Sequence, residues 1–257
     1  MKKVIIGDCT LYHGDCLEAI PTLSGVSDWI TDPPYEKSLH DSKNALVRRL
    51  RTDKGPDLKG LDFKSIDEIR EEFISLAEEY CHGWLITFCT IEGVSKWADV
   101  INDSSIKYKR GCVWVKPDCT PQLNGQGPAQ GCECFVVSWS GKGHAKWNAG
   151  GKRGIYTHNT NSPTRDGRHP TEKPVSLFKE IITDFAKPNG TILDPFMGSG
   201  TTGVSCAKLG HKFIGVELDE NYFNIACERI RKAYDQPDLF IKRPEKIEQC
   251  DMNYLKD

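Results

Sequence analysis

The chain has no hydrophobic run long enough for a membrane. Its longest apolar stretch, around Trp84 to Ile91, is far short of the roughly 20 residues that span a bilayer. The opening Met1-Lys2-Lys3-Val4-Ile5-Ile6 is likewise too short and apolar-poor for a signal peptide, so a cytoplasmic protein is expected. CxxC pairs are absent. The 11 cysteines are odd in number, and Cys132 and Cys134 have a single residue between them, which points to structural thiols in a reduced compartment, with a zinc site as the lesser alternative; no metal is expected. No Pro-Cys dipeptide occurs, which leaves a covalent cysteine attack on a ring carbon without support. Neither sign of charge is in excess: 34 basic against 36 acidic side chains give a formal net charge of −2. Binding to a polyanion would therefore depend on a local basic patch. There is no GxxxxGK[ST] run and no solenoid-type repeat.

Two short motifs stand out against these absences. Asp32-Pro33-Pro34-Tyr35 closes the apolar stretch Val26 to Ile30, and Asp194-Pro195-Phe196-Met197-Gly198-Ser199-Gly200-Thr201-Thr202 closes Thr191-Ile192-Leu193. Both read as loops at the carboxyl end of a buried strand, where open α/β sheets bind ligands. The first motif suits an amine attached to a base ring. Such an amine is a poor nucleophile because its lone pair is delocalised into the ring, so acceptors that help localise that pair assist its reaction. Asp32 offers a carboxylate, and the stiff prolines can preorganise the Pro33 carbonyl as a second acceptor. Tyr35 is placed to stack on the base. Taken alone, the same four residues also read as a proline-rich turn.

In the second motif, Gly198 and Gly200 permit close approach of backbone to a ligand, and Thr201 and Thr202 open a helix that Gly210 ends. The following strand, Phe213 to Glu217, brings an acid about 20 residues past the glycines, the offset at which a carboxylate accepts ribose hydroxyls. The loop is read as departing from the GxGxxG pattern, which leaves phosphate binding poorly supported. With Asp194 and Glu217 near it, it suits a ligand carrying an ammonium and a sulfonium, and S-adenosylmethionine fits that description.

Around these motifs, 257 residues suffice for one catalytic domain over residues 1–257. Helices and strands alternate as a doubly wound sheet requires. Ser65-Ile66-Asp67-Glu68 is a capping box, and Ile66, Ile69, Phe73, Leu76, Ala77 and Tyr80 form the buried stripe of the helix it starts. Strands are expected at Trp84 to Phe88, Gly111 to Lys116 and Cys134 to Ser140, and a final helix from about Glu220 to Ala233. Residues from about 235 to 257 read as a charged tail. Two insertions interrupt the scaffold. Residues 36–60, with Arg48 and Arg49 among seven basic side chains, read as a flap over a target base or as a solvated surface segment. Residues 117–168 carry Lys142, Lys146, Lys152, Arg153, Arg165 and Arg168 against Asp166 in their later part, with Trp147 and Tyr156 nearby. That pattern reads as a nucleic-acid contact surface, with a plain soluble loop as the alternative.

With His169-Pro170-Thr171-Glu172-Lys173-Pro174 and Val216-Glu217-Leu218-Asp219 added to the first two motifs, the chain resembles the beta-class amino-methyltransferases of DNA. The resemblance runs from about residue 9 to 233, with the catalytic loop ahead of the cofactor loop, the family's permuted order. It implies a Rossmann-like, mostly parallel α/β sheet, S-adenosylmethionine as cofactor and double-stranded DNA as partner. It is also compatible with a homodimer and a cognate restriction enzyme. By the resemblance, Phe196, Gly198, Ser199 and Gly200 line the cofactor with Thr201 and Thr202, and Glu217 takes the ribose beside Leu218. His169, Thr171 and Lys173 lie towards the methionine end. Asp15 matches the acid near the cofactor's adenine amine, although a helix N-cap suits it as well; the HPTEKP segment also reads as a helix start. The expected mechanism flips the base, stacks it on Tyr35 and transfers the methyl group directly. Asp at the head of the motif resembles adenine enzymes more than those acting on the cytosine amine. A methyltransferase for RNA or a protein amide, or a non-catalytic nucleic-acid-binding module, are the alternatives of other classes.

Overall fold

The computed structural model describes residues 1–34, 66–121, 123, 125–160 and 172–236. Tyr35, the capping serine at 65, the flap over 36–60 with Arg48 and Arg49, and the segment holding Arg165, Arg168, His169 and Thr171 lie outside the described residues. So does most of the expected tail. Among the described residues, nine strands form one mixed sheet in the order β1-β2-β9-β8-β3-β4-β6-β5-β7. In chain order they are β1 (Lys2–Ile6), β2 (Cys9–His13), β3 (Asp28–Thr31), β4 (Trp84–Cys89), β5 (Lys107–Val115), β6 (Cys132–Trp139), β7 (Ile155–Thr157), β8 (Thr191–Asp194) and β9 (Lys212–Glu217). Pairing is parallel from β2 through β9, β8 and β3 to β4, and antiparallel for β1 on β2 and for β6 between β4 and β5. The sheet is thus mostly parallel in its centre, and its β4-β6-β5 part departs from a purely doubly wound plan.

The helices are α1 (Cys16–Ala19), α2 (Ile66–Tyr80), α3 (Gly93–Asn102), α4 (Val175–Phe185), α5 (Thr201–Leu209) and α6 (Glu220–Asp235), with a short 3-10 turn at Ile20–Thr22. They cover both faces of the sheet. β4 shows why: its side chains alternate, so Trp84, Ile86 and Phe88 enter one apolar cluster with α4, α5 and α6, while Leu85 and Cys89 enter the other with α1, α2 and α3. A strand buried on both faces reads as a continuous apolar run, and Trp84-Leu85-Ile86-Thr87-Phe88-Cys89 does so. In α2 the stripe expected from sequence is buried at Ile66, Ile69, Phe73 and Ala77 and half-buried at Leu76 and Tyr80. Phe73 anchors that face: its ring meets Trp29 at 5.6 Å, Trp97 at 6.0 Å and Phe196 of the glycine loop at 5.5 Å. No helix among the described residues is long and apolar enough to cross a membrane.

At the start of β3, buried Asp28 accepts from the backbone N–H groups of Trp84 at 2.8 Å and Lys187 at 3.0 Å. This fixes β3 against the entries to β4 and β8. The sheet order then does the positioning. From β8 the chain winds outward through α5 to β9, and from β3 it winds the other way through α2 to β4, so the strand order reverses between β8 and β3. Such a reversal opens a crevice at the carboxyl ends of the strands.

Candidate active site

Thr31–Pro34 leave β3 and Asp194–Gly200 leave β8 side by side at that crevice, because Asp28 and Trp29 pair in parallel with Ile192 and Leu193. A single carboxylate joins the two loops. Asp194, 2 % exposed, accepts from Thr31 Oγ1 at 2.8 Å, from Thr202 Oγ1 at 2.5 Å and from the Phe196 N–H at 3.2 Å. Burial pushes its pKa up to about 7, the hydroxyl and N–H donors pull it back in part, and the Asp32 charge adds to the rise. The sequence suggests Asp194 as negative charge beside a cofactor. In the structure it braces the two loops against each other, and Thr31, which no motif singles out, is one of its partners.

Asp32 sits at the mouth of the crevice with its side chain 26 % exposed. Its Oδ2 accepts from Lys173 Nζ at 2.5 Å, whereas its Oδ1 is buried and has no hydrogen-bond partner among the described residues. Burial raises the pKa of this carboxyl, Lys173 works against the rise, and the nearby Glu133 charge reinforces it. The Lys173 side chain is itself only 6 % exposed, and its Nζ lies 3.3 Å from Glu133 Oε2. Glu133 Oε1 is bonded to Lys116 Nζ. Burial would raise the Glu133 carboxyl, but the two ammonium groups outweigh it and hold its pKa below the ordinary value. The HPTEKP segment therefore does more than begin α4: its lysine reaches the DPPY motif from the far side of the crevice. Pro174, which the sequence suggests as the first helical residue, is the N-cap of α4, and the helix begins one position later at Val175.

The neighbouring Glu172 turns the other way, into a buried ion pair with Arg229 of α6. Arg229 also donates to the Ser199 carbonyl at 2.7 Å and to Ser199 Oγ at 2.8 Å. Thr201 Oγ1 in turn donates to the Lys173 carbonyl at 3.4 Å. The glycine loop, the HPTEKP segment and the last helix are thus tied through one guanidinium, whose forked donors suit such a junction. Arg229 carries no sequence signal, being one of several basic residues on an amphipathic helix.

The loop itself is shaped by glycine. Gly198 has φ +50°, and a Cβ there would meet nothing within 4 Å, so its outer side faces open space. Gly200 has φ +83°, and a Cβ there would press on Ala226 at 2.8 Å. Gly203 completes a Gly198-x-Gly200-x-x-Gly203 spacing, which corrects the reading that set this loop apart from that pattern. Its position allows α5 to pack closely on β9, since a Cβ would clash with Ile230 and Phe213 at 2.5 and 2.8 Å.

Glu217 ends β9 beneath the loop and accepts from the Gly198 N–H and the Asp219 N–H, both at 2.8 Å. Burial raises its pKa, and these N–H donors temper the rise. Asp15 lies alongside, since His13 pairs with Glu217 and Gly14 donates its N–H to the Glu217 carbonyl at 3.0 Å. Its carboxylate caps α1 by accepting from the Leu17 N–H at 2.9 Å, so the N-cap role considered from sequence is realised at the rim of the crevice. Leu218, 47 % exposed, stands next to it as an apolar side chain open to solvent. An open glycine elbow, an organised carboxylate and an exposed leucine on one rim fit an adenosine with its ribose.

The basic residues expected to meet DNA divide. Lys142 and Arg153 are exposed. Lys152 is bonded to Glu180 at 2.6 Å and to Asp184, both on α4, and its ammonium lies 4.6 Å from the Tyr156 ring centre. Tyr156 is fully buried and donates to Asp184 at 2.8 Å. Lys152 and Tyr156 therefore fasten this insertion to α4. The cysteines among the described residues are free thiols, and burial pushes Cys9, Cys16 and Cys81 up to about 12, as expected of packing residues.

Comparison with known proteins agrees with this geometry. A DNA methylase family profile, covering N6 and N4 enzymes, matches residues 28–228. The chain is 28% identical over 247 residues to Type II methyltransferase M2.LlaDCHI of Lactococcus lactis subsp. cremoris, covering 87% of this chain and 89% of that protein. It is 28% identical over 244 residues to Type II methyltransferase M2.DpnII of Streptococcus pneumoniae, covering 86% and 88%. Among solved structures, the M1.HpyAVI complex with S-adenosylmethionine superposes with a TM-score of 0.66 at 27% identity, covering 86% of this chain and 98% of that one. The cytosine-N4-specific PvuII DNA methyltransferase, at 16% identity and a TM-score of 0.67, shares the fold. With the profile spanning both ligand loops, the sheet between them and most of α6, the chain belongs to the N6/N4 DNA methylase family.

Proposed function

We propose that this chain methylates the exocyclic amine of a flipped-out adenine in double-stranded DNA. The observation that carries the reading is the division of labour on Asp32: Oδ2 is held by Lys173, while Oδ1 is buried without a partner among the described residues at the end of β3. A buried, unsatisfied carboxylate oxygen is costly, and an amine N–H donor satisfies it. S-adenosylmethionine supplies an electrophilic methyl group on its sulfonium. Asp32 Oδ1 and the Pro33 carbonyl accept from the two amine hydrogens and draw the nitrogen lone pair out of the ring, and Asp32 holds the proton that the nitrogen loses. Lys173 keeps the carboxyl from turning away. Tyr35 stacks on the base, and flipping the base costs a few kcal/mol that stacking and phosphate contacts offset. Gly198, Glu217, Asp15 and Leu218 hold the adenosine, and Ser199 and Thr201 are set by Arg229. The aspartate that heads the motif favours adenine over cytosine. The Type II relatives support a restriction-modification setting with a cognate endonuclease.

The test is nucleoside mass spectrometry of DNA modified by the purified protein, with Asp32→Ala alongside. Methylated adenine amine is expected, with transfer abolished in the variant and S-adenosylhomocysteine affinity within a few-fold of the parent, since Asp32 faces the amine. Methylated cytosine amine alone would reject adenine and leave the enzyme class standing. Near-normal turnover by Asp32→Ala would reject the role given to the DPPY motif.

A further inference from the structure

Glu133 and Lys116 belong to no motif, yet they lie one step from the reacting carboxylate. They stand at the two ends of the connection between β5 and β6. Val115 pairs with Cys132, the Lys116 N–H donates to the Gly131 carbonyl at 2.8 Å, and the two side chains join across that closure. Beyond them the charges alternate: Lys116, then Glu133, then Lys173 at 3.3 Å, then Asp32 at 2.5 Å. Lys116, Glu133 and Lys173 are all largely buried, so these charges act on one another with little screening. Among the described residues, the charged groups facing Asp32 are thus Lys173 from the α4 side, Glu133 from the start of β6, Lys116 just past β5, and Asp194 from β8.

Lys173 carries a mobile point charge on a flexible stem, and by itself an ammonium does not choose between two carboxylate oxygens. A second carboxylate on its far side supplies the choice. The pull of Glu133 Oε2 keeps the ammonium on the Oδ2 side of Asp32, and Lys116 keeps Glu133 from drawing it off altogether. We infer that Glu133, held by Lys116, is a positioning residue for methyl transfer: it retains Lys173 on Asp32 Oδ2 and so leaves Oδ1 open to the target amine. The inference rests on the role proposed for Asp32.

Single-turnover transfer rates across pH decide it, measured for Glu133→Gln and Lys116→Met beside calorimetry with S-adenosylhomocysteine, DNA titration and thermal melting. Glu133→Gln is expected to slow transfer on the order of 10- to 100-fold, the scale of a small misplacement, with cofactor and DNA affinities within about twofold. The acid limb of its rate profile moves to lower pH, because the charge that raises the Asp32 pKa is gone. Lys116→Met moves the same limb to higher pH, because unneutralised Glu133 competes with Asp32 for Lys173. Opposite displacements from two residues that touch neither substrate are not produced by general loosening. A Glu133→Gln protein with parental rate and profile overturns the inference, as does a slow variant with an unmoved acid limb and a parallel loss of cofactor affinity. If Glu133→Gln does not fold, an unshifted limb in Lys116→Met overturns it. Asp32→Ala, run in the same series, keeps the two questions apart: its normal turnover would remove the Asp32 role itself.

Discussion

Glu217 offers a test in which structure and ligand binding can be separated. Its two carboxylate oxygens accept from the Gly198 and Asp219 N–H groups at 2.8 Å each, which shapes the elbow and leaves one lone pair on each oxygen for a ribose hydroxyl. Glu217→Gln keeps the volume, removes the charge and turns an NH2 group towards one of those N–H donors. A hydrogen bond to a charged group contributes about 1.5 to 3 kcal/mol, so S-adenosylhomocysteine affinity should fall on the order of 10- to 150-fold. Calorimetry with S-adenosylhomocysteine and its 2′-deoxyribose analogue distinguishes the causes. The parent should prefer the hydroxylated ligand, and the variant should lose most of that preference, a coupling that a collapsed elbow would not give. The pH dependence has a fixed sign. Burial raises the Glu217 pKa, and the ionised form is the better acceptor, so parental affinity should weaken as pH falls through that raised value while the Gln variant stays flat. Unchanged affinity in Glu217→Gln, or a preference for the ribose hydroxyl that survives it, would refute the assignment and leave Glu217 as a support for the loop.

Two further outcomes follow from buried and paired charge. Asp194 has its pKa raised to about 7, against about 3.9 for a free aspartate, so between those values the folded protein holds a proton that the unfolded chain releases and stability falls as pH rises. Denaturant unfolding of Asp194→Asn at pH 5 and pH 8 should show the variant gaining on the parent by about 2.5 kcal/mol at the higher pH, and no change in the difference would contradict the raised value. For DNA, neutralising exposed Lys142 and Arg153 together should flatten the dependence of log affinity on log salt by about 0.9 for each phosphate left without its cation. Lys152→Gln should instead lower the melting temperature, since its ammonium is held by Glu180 and Asp184. An unaltered slope for the Lys142 and Arg153 pair would place the DNA surface elsewhere, and a flattened slope with Lys152→Gln would contradict its structural role.

The sequence makes the centre of the molecule legible because the signals there are local. A doubly buried strand is a run such as Trp84 to Cys89, and a loop that must turn through positive φ carries glycine, as at Gly198 and Gly200. Elements with weak local signals escape it. β7 has three residues, two of them exposed, and β1 is exposed over most of its length. Long-range pairing escapes it too. Lys152 looks like part of a basic run until Glu180 and Asp184 meet it from a helix begun more than twenty residues later. Glu133 and Lys173 are 40 positions apart, and only the folded sheet makes them neighbours. Gly203 is visible as a residue, but its purpose depends on how closely α5 lies on β9.

The seam between β3 and β8 has a consequence for synthesis. Thr31 and Asp194, which close it, are separated by 163 positions, and β3 is buried along its whole length in the finished fold. At roughly 5 to 20 residues per second, a nascent chain waits about 8 to 30 s between making Thr31 and making its partner. Throughout that interval one edge of β3 lacks a neighbour, and an unpaired apolar strand is a template for wrong pairing. The first strands wait longer still, because β2 pairs with β9 and the Asp8 N–H bonds to Tyr234 on α6. The cofactor half is thus made after the half that holds β3 and β4, and it completes both earlier edges. A chain stalled or cut ahead of β8 is left with an open sheet rather than a smaller enzyme, which makes it a client for chaperones.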